Sequence, residues 1–272
     1  MADSVAVLAP AKINVGLSVF PKRADGYHDI EGIFTTVSLY DTLSVSLEDG
    51  EGKCLVDCPS MELPKDNTFT AAYKAFCVLT GIRSSVRVTV DKRIPSGGGL
   101  GGGSSDAASF IQSIDRLFDT HLTALQLYDL ALAVGSDVPF FMHALLEAES
   151  GKPYVAYVTG RGENVEALPP RVDMEVRLFS SGISVSTKEA YAWLDAAMEG
   201  GRVVHNAFTG KDAWLAEWKK DVADWSFVND FTAPVVARHE AIADAIQNMK
   251  EAGALFADMS GSGATVFGVF GV

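Results

Sequence analysis

The sequence predicts an α+β fold in two halves. Residues 5 to about 48 alternate apolar and polar side chains, as strands with one buried face do, and a second alternating run covers residues 172–178. Elsewhere, apolar residues recur at the three- and four-residue spacing of amphipathic helices. The pair Pro169-Pro170 marks a shift in composition, so we predict one domain over residues 1–168 and a second over residues 169–272.

The first half combines strands with helices. A polar turn over residues 21–28 separates its first two strand runs, and this turn is dense in side chains suited to contacting a ligand. Thr123 with Gln126 three residues later forms a capping box, which marks the start of a helix. The remaining elements predicted here are a helix from Asp66 to a stop at Gly81, a strand over residues 85–91, a helix after the glycine run 97–103, and a strand over residues 154–158.

The second half is less regular. Its first strand is followed by a helix carrying Tyr191, and a later helix carrying Ile242 ends at Gly253. Residues 201–231 have little periodicity, and we interpret their three tryptophans as packing residues. Two short strands are predicted on either side of the loop Ser260–Gly263. The sequence contains no internal repeat and no low-complexity tract.

Composition and charge narrow the function. The 272 residues are 48% hydrophobic and carry a net charge of −13, which fits a full core and argues against binding to nucleic acid or to an anionic membrane. Positive side chains gather in the first third, at Lys12, Lys22-Arg23 and Lys92-Arg93, and this local excess suits a polyphosphate ligand. No apolar run is long enough to span a membrane and no leader peptide is recognisable, so we expect a cytoplasmic protein.

The cysteines point to no special chemistry. Cys54, Cys58 and Cys77 make an odd count, and no histidine cluster lies near the Cys-x3-Cys pair. We therefore expect reduced, partly buried thiols rather than a zinc site.

The most informative stretch is the glycine run. Six of the seven residues 97–103 are glycine, so backbone N–H groups can turn toward a ligand without obstruction by Cβ atoms. A helical pattern follows directly, and the start of a helix offers unpaired N–H donors together with the positive end of the helix dipole. We interpret the run as a loop around nucleotide phosphates. The alternative is a flexible Gly/Ser linker.

Three common nucleotide-binding loops do not match this run. A Walker A loop needs a lysine after the glycines, and none follows here. The Rossmann spacing is present at Gly97, Gly99 and Gly102, but a second helix rather than a strand follows the first helix. The two later segments that a protein kinase requires are absent from the sequence.

The pattern Pro-x3-Gly-Leu-Gly-x-Gly-Ser-Ser-x-Ala-Ala, which starts at Pro95, resembles the GHMP kinase superfamily. Members of that superfamily phosphorylate small alcohols and phosphates with ATP. Residues 9–14 are similar to its first motif, and residues 259–264 to its third. Four further segments are similar to the branch that acts on 4-diphosphocytidyl-2-C-methyl-D-erythritol in the non-mevalonate isoprenoid pathway, namely residues 23–28, 66–67, 135–139 and 227–230.

The resemblance implies the two-domain GHMP kinase architecture, with an N-terminal ATP-binding domain and a smaller C-terminal α/β-sandwich domain. It implies ATP-dependent phosphorylation of the substrate's 2-hydroxyl, with ADP as the second product and Mg²⁺ as the cation. The superfamily usually continues past the third motif with a further helix and strand, whereas this chain stops at Val272, so we expect a shortened C-terminal domain. The expected partner is the small-molecule substrate, with no nucleic acid and no membrane, and the expected assembly is a monomer or homodimer.

The resemblance also implies roles for individual residues. Lys12 and Asp137 match the catalytic pair: Lys12 would neutralise charge near the γ-phosphate, and Asp137 would accept the proton of the substrate hydroxyl or only orient that hydroxyl. The ATP-binding residues implied are Pro95, Ser96, Gly97, Gly98, Gly99, Leu100, Gly101, Gly102, Gly103, Ser104, Ser105, Asn67 and Lys92. The substrate-binding residues implied are Asn14, Tyr27, His28, Thr187 and Tyr191, with Tyr27, His28 and Tyr191 around the cytosine ring. No metal ligand is assigned.

Plainer roles stay open from the residues alone. Ser104 is also suited to be a helix N-cap, and Tyr191 also fits the apolar stripe of its helix. A carboxylate starts near pKa ~4 and a neighbouring lysine lowers that pKa further, so Asp137 is a weak base for an alcohol. Two other functions stay open: a GHMP kinase acting on another alcohol, of the mevalonate or homoserine type, and a non-catalytic nucleotide-binding relative.

Overall fold

The computed structural model describes residues 4–203 and 205–272. Its elements in chain order are β1 (Ser4–Lys22), β2 (His28–Glu51), β3 (Cys54–Asp57), α1 (Thr68–Thr80), β4 (Ser84–Asp91), α2 (Gly102–Phe118), α3 (Ala124–Val134), α4 (Val138–Glu147), β5 (Val155–Gly160), β6 (Asn164–Leu168), β7 (Met174–Ser180), α5 (Thr187–Glu199), α6 (Lys211–Trp218), α7 (Thr232–Val236), α8 (Glu240–Glu251), β8 (Phe256–Met259) and β9 (Thr265–Gly271). This order of strands and helices confirms the predicted α+β class.

The chain divides into two compact units that interleave along the sequence. Unit 1 comprises Met1–Ala11, Ser38–Ile94 and Gly101–Ala148, and unit 2 comprises Lys12–Val37, Pro95–Leu100 and Glu149–Val272. The long strands β1 and β2 each contribute residues to both units. The domain boundary between residues 168 and 169 stays a prediction.

Most predicted elements are confirmed, because their start and stop signals are local. Helix α1 is capped by Asn67 and ends at Gly81, which adopts the left-handed conformation with φ of 74°. The capping box of Thr123 and Gln126 opens α3. Strands β8 and β9 lie on either side of the Ser260–Gly263 loop.

Three helices, α4, α6 and the five-residue α7, appear where the sequence pattern predicted none. Helix α6 lies inside the poorly patterned stretch, and its eight residues are too few to display a periodicity. Helix α4 begins with five buried residues in succession, Val138 to Met142, so no stripe distinguishes its first turn from a strand. Short or uniformly buried helices leave no periodic signal.

Unit 1 packs helices around buried aromatic residues. Strand β4 pairs antiparallel with the second part of β2, where Val45 faces Val88, and pairs parallel with β3. Helices α1 to α4 pack on one another. Phe69 and Phe110 meet edge to face, with ring centroids 5.4 Å apart, and Phe76 is fully buried beside them. The alternation of the strands and the stripe of α1 supply this core.

Unit 2 contains two separate groups of strands. Strand β5 pairs antiparallel with the first part of β2 and with β6, while a second sheet has the order β7-β9-β8. Trp214 stacks on Phe227 with centroids 5.6 Å apart, and Trp218 stacks on Trp225 at 5.1 Å. All three tryptophans are buried, which confirms their interpretation as packing residues.

The cysteines are free thiols, and each is half-buried, as predicted. Burial raises the pKa of Cys54 to about 12, so this thiol stays protonated and unreactive at neutral pH. Within the described part of the chain, no helix combines the length and apolar character needed to cross a bilayer.

Candidate active site

The glycine run is divided between the two units. Pro95–Leu100 belongs to unit 2, and the residues from Gly101 onward belong to unit 1. Helix α2 starts at Gly102 with Gly101 as its N-cap, so the last glycines of the run form the first helical turn. Ser104 therefore lies inside the helix, and the alternative that it is the N-cap is wrong. The run is not a flexible linker, because it continues directly into a helix.

In unit 1, the first turns of α2 contain buried polar atoms with little protein to bond to. The Ser105 hydroxyl and the Oδ1 atom of Asp106 are buried and have no hydrogen-bond partner among residues 4–203 and 205–272. Both residues are at most 2% exposed. Buried oxygen atoms in this state, at the positive end of a helix dipole, suit a polar ligand.

Lys92 lies beside the start of α2, and its ammonium forms hydrogen bonds with two carboxylates. Its ammonium donates to Asp106 Oδ2 at 2.8 Å and to a carboxylate oxygen of Asp41. Burial raises the pKa of Asp106 to about 7, against the opposing effect of Lys92. Burial lowers the pKa of Lys92, but the two carboxylates outweigh it and hold that pKa above its ordinary value. Lys92 is thus a charged partner of two buried acids.

Asn67 is likewise engaged by its own helix. Its side-chain oxygen accepts hydrogen bonds from the backbone N–H groups of Phe69 and Thr70, at 3.0 and 3.1 Å, and its amide nitrogen donates to the Pro64 carbonyl. The Thr70 hydroxyl completes a reciprocal capping box. These hydrogen bonds give Asn67 a structural role as the N-cap of α1.

Asp137 lies between two helices of unit 1. It occupies the N-cap position of α4, with φ of −86° and ψ of −11°, yet its side chain makes no capping hydrogen bond. The carboxylate is half-buried. Asp137 is thus an acid at a helix end whose side chain does not cap that helix.

In unit 2, Lys12 is held against the glycine loop. It is 4% exposed on strand β1, and its ammonium donates to Asn14 Oδ1 at 2.7 Å and to the Gly99 carbonyl at 2.9 Å. The ammonium also lies 5.2 Å from the centroid of the Phe34 ring. The backbone N–H of Lys12 donates to Leu100, so strand β1 and the loop are joined twice.

The glycine loop also lies against the loop between β8 and β9. A Cβ atom on Gly99 would come within 2.0 Å of the Ser260 carbonyl oxygen, and one on Gly98 within 2.6 Å of Thr265 Oγ1. Gly99 has φ of 74°, a conformation that side chains rarely adopt. The Ser260 hydroxyl donates to the Gly99 carbonyl at 2.9 Å. Only glycine fits this close approach.

Of the residues predicted to bind the cytosine ring, His28 and Tyr191 are in contact in unit 2, whereas Tyr27 contacts Arg161. The rings of His28 and Tyr191 are 5.0 Å apart at 32°, and Tyr191 meets Phe231 edge to face. The Tyr27 ring is half-exposed, with the Arg161 guanidinium 4.7 Å from its centroid.

The contacts of His28 fix its orientation. Its Nδ1 lies 2.7 Å from the Phe20 carbonyl and therefore carries a proton, while its Nε2 lies 3.3 Å from Asp195. Thr187 is the first residue of α5, and its hydroxyl lies 3.3 Å from that of Ser262.

Several residues at this site escaped the sequence analysis. Arg161 and Asp195 contact predicted substrate residues, and Ser260 and Asn229 organise the loop beside Gly99. Arg161 lies in a turn and Asp195 within a helix, and neither position has a local signal. Asn229 belongs to the motif 227–230, which the resemblance singled out without giving it a role.

The described residues include no group of three or more histidine, cysteine, aspartate or glutamate side chains able to hold a metal ion. Mg²⁺ commonly keeps several waters and binds through substrate phosphates with one or two protein ligands.

Comparison with known proteins places the chain in a family. The model of the GHMP kinases N terminal domain matches residues 67–144, and that of the GHMP kinases C terminal domain matches residues 215–271. The 4-diphosphocytidyl-2-C-methyl-D-erythritol kinase of Treponema pallidum (strain Nichols) is 41% identical over 98% of this chain and 90% of its own length. The enzyme of that name from Thermotoga maritima is 37% identical over 98% of this chain and 92% of its own length.

Solved structures of GHMP kinases are similar to this chain over nearly its whole length. A crystal structure of 4-(cytidine 5'-diphospho)-2C-methyl-D-erythritol kinase has a TM-score of 0.72 at 30% identity, covering 97% of this chain and 89% of that one. Homoserine kinase from Cytophaga hutchinsonii has a TM-score of 0.69 at 21% identity, covering 99% of this chain and 85% of that one, which shows a common fold. With 41% identity over nearly its whole length, the chain belongs to the 4-diphosphocytidyl-2-C-methyl-D-erythritol kinases, a family within the GHMP kinases.

Proposed function

We propose that this protein transfers the γ-phosphoryl group of ATP to the 2-hydroxyl of 4-diphosphocytidyl-2-C-methyl-D-erythritol, giving the 2-phosphate and ADP in the non-mevalonate isoprenoid pathway. The bond between the 2-oxygen and phosphorus forms as the bond between phosphorus and the ADP oxygen breaks. The hydroxyl loses its proton in the process. Family membership supports the reaction, and the geometry of each unit supports the roles of individual residues.

The observation that carries the proposal is the position of Lys12 on the glycine loop. Phosphoryl transfer requires positioning and positive charge at the transferring oxygens more than covalent chemistry by the protein. The Lys12 ammonium bonds to the Gly99 carbonyl, so its charge is fixed at the loop proposed to surround the phosphates. Because Lys12 is 4% exposed, its charge acts in a poorly solvated setting, where electrostatic stabilisation is stronger than in water.

The ATP phosphates are assigned to the loop Pro95–Leu100 and to the first turn of α2. That turn supplies the positive end of the helix dipole and the Ser105 hydroxyl, which lacks a partner among the described residues. Mg²⁺, when bound with ATP, supplies further positive charge to the phosphates. Asn67 and Lys92 remain proposed for the adenosine end, although the contacts of both side chains within unit 1 are those of structural residues.

Asp137 is the proposed acceptor or orienting group for the substrate hydroxyl. Its carboxylate is half-buried and makes no capping bond to α4. An ordinary carboxylate is too weak a base to ionise an alcohol beforehand, so proton transfer occurs late, as the new bond forms.

The cytidine end of the substrate is assigned to Tyr27, His28 and Tyr191, with Asn14 and Thr187 as further polar contacts. His28 and Tyr191 already lie ring against ring, and Tyr27 leaves half of its surface exposed for stacking. We place the reaction in the cytoplasm, since the three free thiols suit a reducing compartment. We propose a monomer or homodimer that binds neither nucleic acid nor membrane.

The test is a coupled ADP-release assay with purified protein, ATP and Mg²⁺. The substrate 4-diphosphocytidyl-2-C-methyl-D-erythritol is compared in parallel with mevalonate and homoserine. We expect turnover with the cytidyl compound alone. Turnover with another alcohol instead would retain the kinase chemistry and refute the cytidine site. ATP binding without turnover of any of the three would favour a non-catalytic relative.

A further inference from the structure

Asn229 belongs to the sequence motif 227–230, to which the proposed function gives no role. Its side chain is 1% exposed. The amide nitrogen donates to the carbonyl oxygens of Met259 at 2.7 Å and Gly261 at 2.8 Å, while Oδ1 accepts the N–H of Phe231 at 3.1 Å. A single side chain therefore fixes the backbone on both sides of Ser260.

Ser260 carries this constraint to the glycine loop. Its side chain is fully buried, and its hydroxyl donates to the Gly99 carbonyl at 2.9 Å while accepting the N–H of Asn14 at 3.3 Å. One hydroxyl supplies one proton and two lone pairs, so both bonds form together. The approach is too close for any side chain at Gly99. The loop Ser260–Gly263 and the glycine loop are therefore held in one position relative to each other.

Lys12 lies at the end of this series of contacts. The Gly99 carbonyl accepts both the Ser260 hydroxyl and the Lys12 ammonium, using its two lone pairs. Asn14 Oδ1 accepts the same ammonium, and the Asn14 N–H binds Ser260. These two acceptors of Lys12, in Asn14 and Gly99, therefore both belong to residues bonded to Ser260. All of these residues lie in unit 2.

We propose that Asn229 is a positioning residue for Lys12, acting through Ser260 and the Gly99 carbonyl. This inference rests on the proposed function, in which Lys12 stabilises the γ-phosphate. A lysine ammonium ends a flexible chain and has three donors, so its position is only as well defined as that of its acceptors. Asparagine suits the task because its NH₂ group donates two hydrogen bonds to two carbonyl oxygens, which an aspartate does not.

The test uses Ser260→Ala and Asn229→Ala in the full chain, with Ser113→Ala as the matched control. Ser113 is also fully buried, and its hydroxyl also donates to a carbonyl, that of Ser109 at 2.7 Å, but both residues belong to helix α2 in unit 1. We expect each test variant to lower kcat by about 10- to 100-fold, because a small misplacement of a reacting group costs rates of that order. The KM values for ATP and substrate should stay within about 2-fold, since ground-state binding is retained. The control should keep the wild-type kcat.

A double variant shows whether Asn229 and Ser260 affect kcat through the same contacts or independently of each other. If Asn229 and Ser260 act through the same loop, the kcat of Asn229→Ala/Ser260→Ala should match that of the worse single variant. Multiplied losses would mean that the two residues act separately, and this result would overturn the proposal.

Labelling of Lys12 provides a readout that does not depend on turnover. An amine-reactive reagent is added to the protein without ligand, and the Lys12 adduct is followed by mass spectrometry. We expect faster labelling in both test variants than in wild type and in Ser113→Ala, because an ammonium that loses its fixed acceptors becomes more mobile. If wild type fails to turn over the cytidyl substrate, the proposed function fails, and the labelling rates still decide the positioning of Lys12.

Folding is checked for every variant by circular dichroism and thermal melting. Asn229→Ala removes three hydrogen bonds from a buried site, so its loss of stability is expected to be larger than that of Ser260→Ala. If Asn229→Ala does not fold, Ser260→Ala decides the question. A folded Ser260→Ala variant with wild-type kcat and wild-type Lys12 labelling overturns the proposal, and so does a change in KM alone.

Discussion

Two lysines of this protein, Lys12 and Lys92, differ in the oxygen atoms to which their ammonium groups donate. Lys92 donates to the carboxylates of Asp41 and Asp106 in unit 1, whereas Lys12 donates to the amide oxygen of Asn14 and to the Gly99 carbonyl in unit 2. Lys92 compensates the negative charge of two buried carboxylates, and this contact is part of the folded structure. The two oxygens that accept from Lys12 orient its ammonium at the glycine loop, which suits a group that meets phosphate.

Asp137 gives the sharpest residue-scale prediction for the chemistry. Asp137→Asn keeps the shape of the side chain but removes its negative charge and its ability to accept a proton. We expect kcat to fall by about 10²- to 10⁴-fold, the usual range for loss of a general acid or base. ATP affinity, measured by calorimetry, should change little. A variant with unchanged turnover would remove Asp137 from the mechanism.

Asp258 predicts a pH dependence of stability. Burial raises its pKa to about 6, against the hydrogen bonds that it accepts from Thr232 and from the N–H groups of Met259 and Asn229. The folded state holds the proton more tightly than the unfolded chain, whose carboxyl has its ordinary pKa near ~4. The contribution is therefore fully present below about pH 4 and is lost as pH rises to about 6, with a change on the order of 3 kcal/mol at most.

The measurement is the melting temperature of wild type and Asp258→Asn between pH 4 and pH 7. Asp258→Asn should be less stable at every pH, because an amide N–H would face other donors. Its melting temperature should nevertheless fall less than that of wild type across this interval. Equal slopes for the two proteins would show that Asp258 does not titrate there.

At the scale of elements, the chain relies on local start signals and on close backbone approach. Helix α2 begins inside the glycine run rather than after it, so the glycines serve as loop and as helical turn. Glycine is poor in helix interiors, but a Cβ atom on Gly102 would come within 3.0 Å of the Ile94 side chain, so close packing favours glycine at the helix start. The element boundary is thus shaped by contacts rather than by helix propensity.

Asn67 tests the cap of α1. Asn67→Ala removes the oxygen that accepts two backbone N–H groups, and we expect a loss of about 1 kcal/mol in the free energy of unfolding. Asn67→Asp keeps that oxygen and serves as the control, with stability close to wild type. Urea denaturation compares the three proteins. Equal stability of Asn67→Ala and wild type would contradict the capping role, and a raised KM for ATP in Asn67→Asp would indicate a contact between the amide and the nucleotide.

At the scale of the whole molecule, the compact units do not follow the order of the chain. Unit 2 takes Lys12–Val37 from the first strands and joins it to the residues after Glu149. Leu17 bridges Asn229, and the N–H of Val19 donates to Asp230 at 2.8 Å. The last hundred residues therefore rely on the first forty for part of their hydrogen bonding.

A fragment of residues 169–272 should consequently not fold by itself. It retains the buried tryptophans but lacks β1, β2 and β5, so Asp230 loses the N–H of Val19 and the backbone near Asn229 loses Leu17. We expect a poorly dispersed amide NMR spectrum and no cooperative melting, with the full chain as the control. A dispersed spectrum and a cooperative transition would show that the predicted C-terminal domain is autonomous.

Much of this protein is determined by neighbouring residues, and those parts were predictable. The capping box at Thr123, the stop at Gly81, the alternating strands and the glycine run all act over a few residues. The resemblance carried by such short motifs also implied the family, which the comparisons show.

Tertiary structure decided what depends on residues far apart in the chain. Asn14 bonds to Ser260 across 246 residues, and Lys92 finds Asp41 across 51. No local pattern distinguishes a lysine that will lie between two acids from one that will lie on a phosphate loop. The residue types and spacings of the sequence identify the candidate site residues, but the partner of each residue depends on tertiary packing. The reason is that the pKa, burial and orientation of a side chain depend on the groups that the fold places beside it.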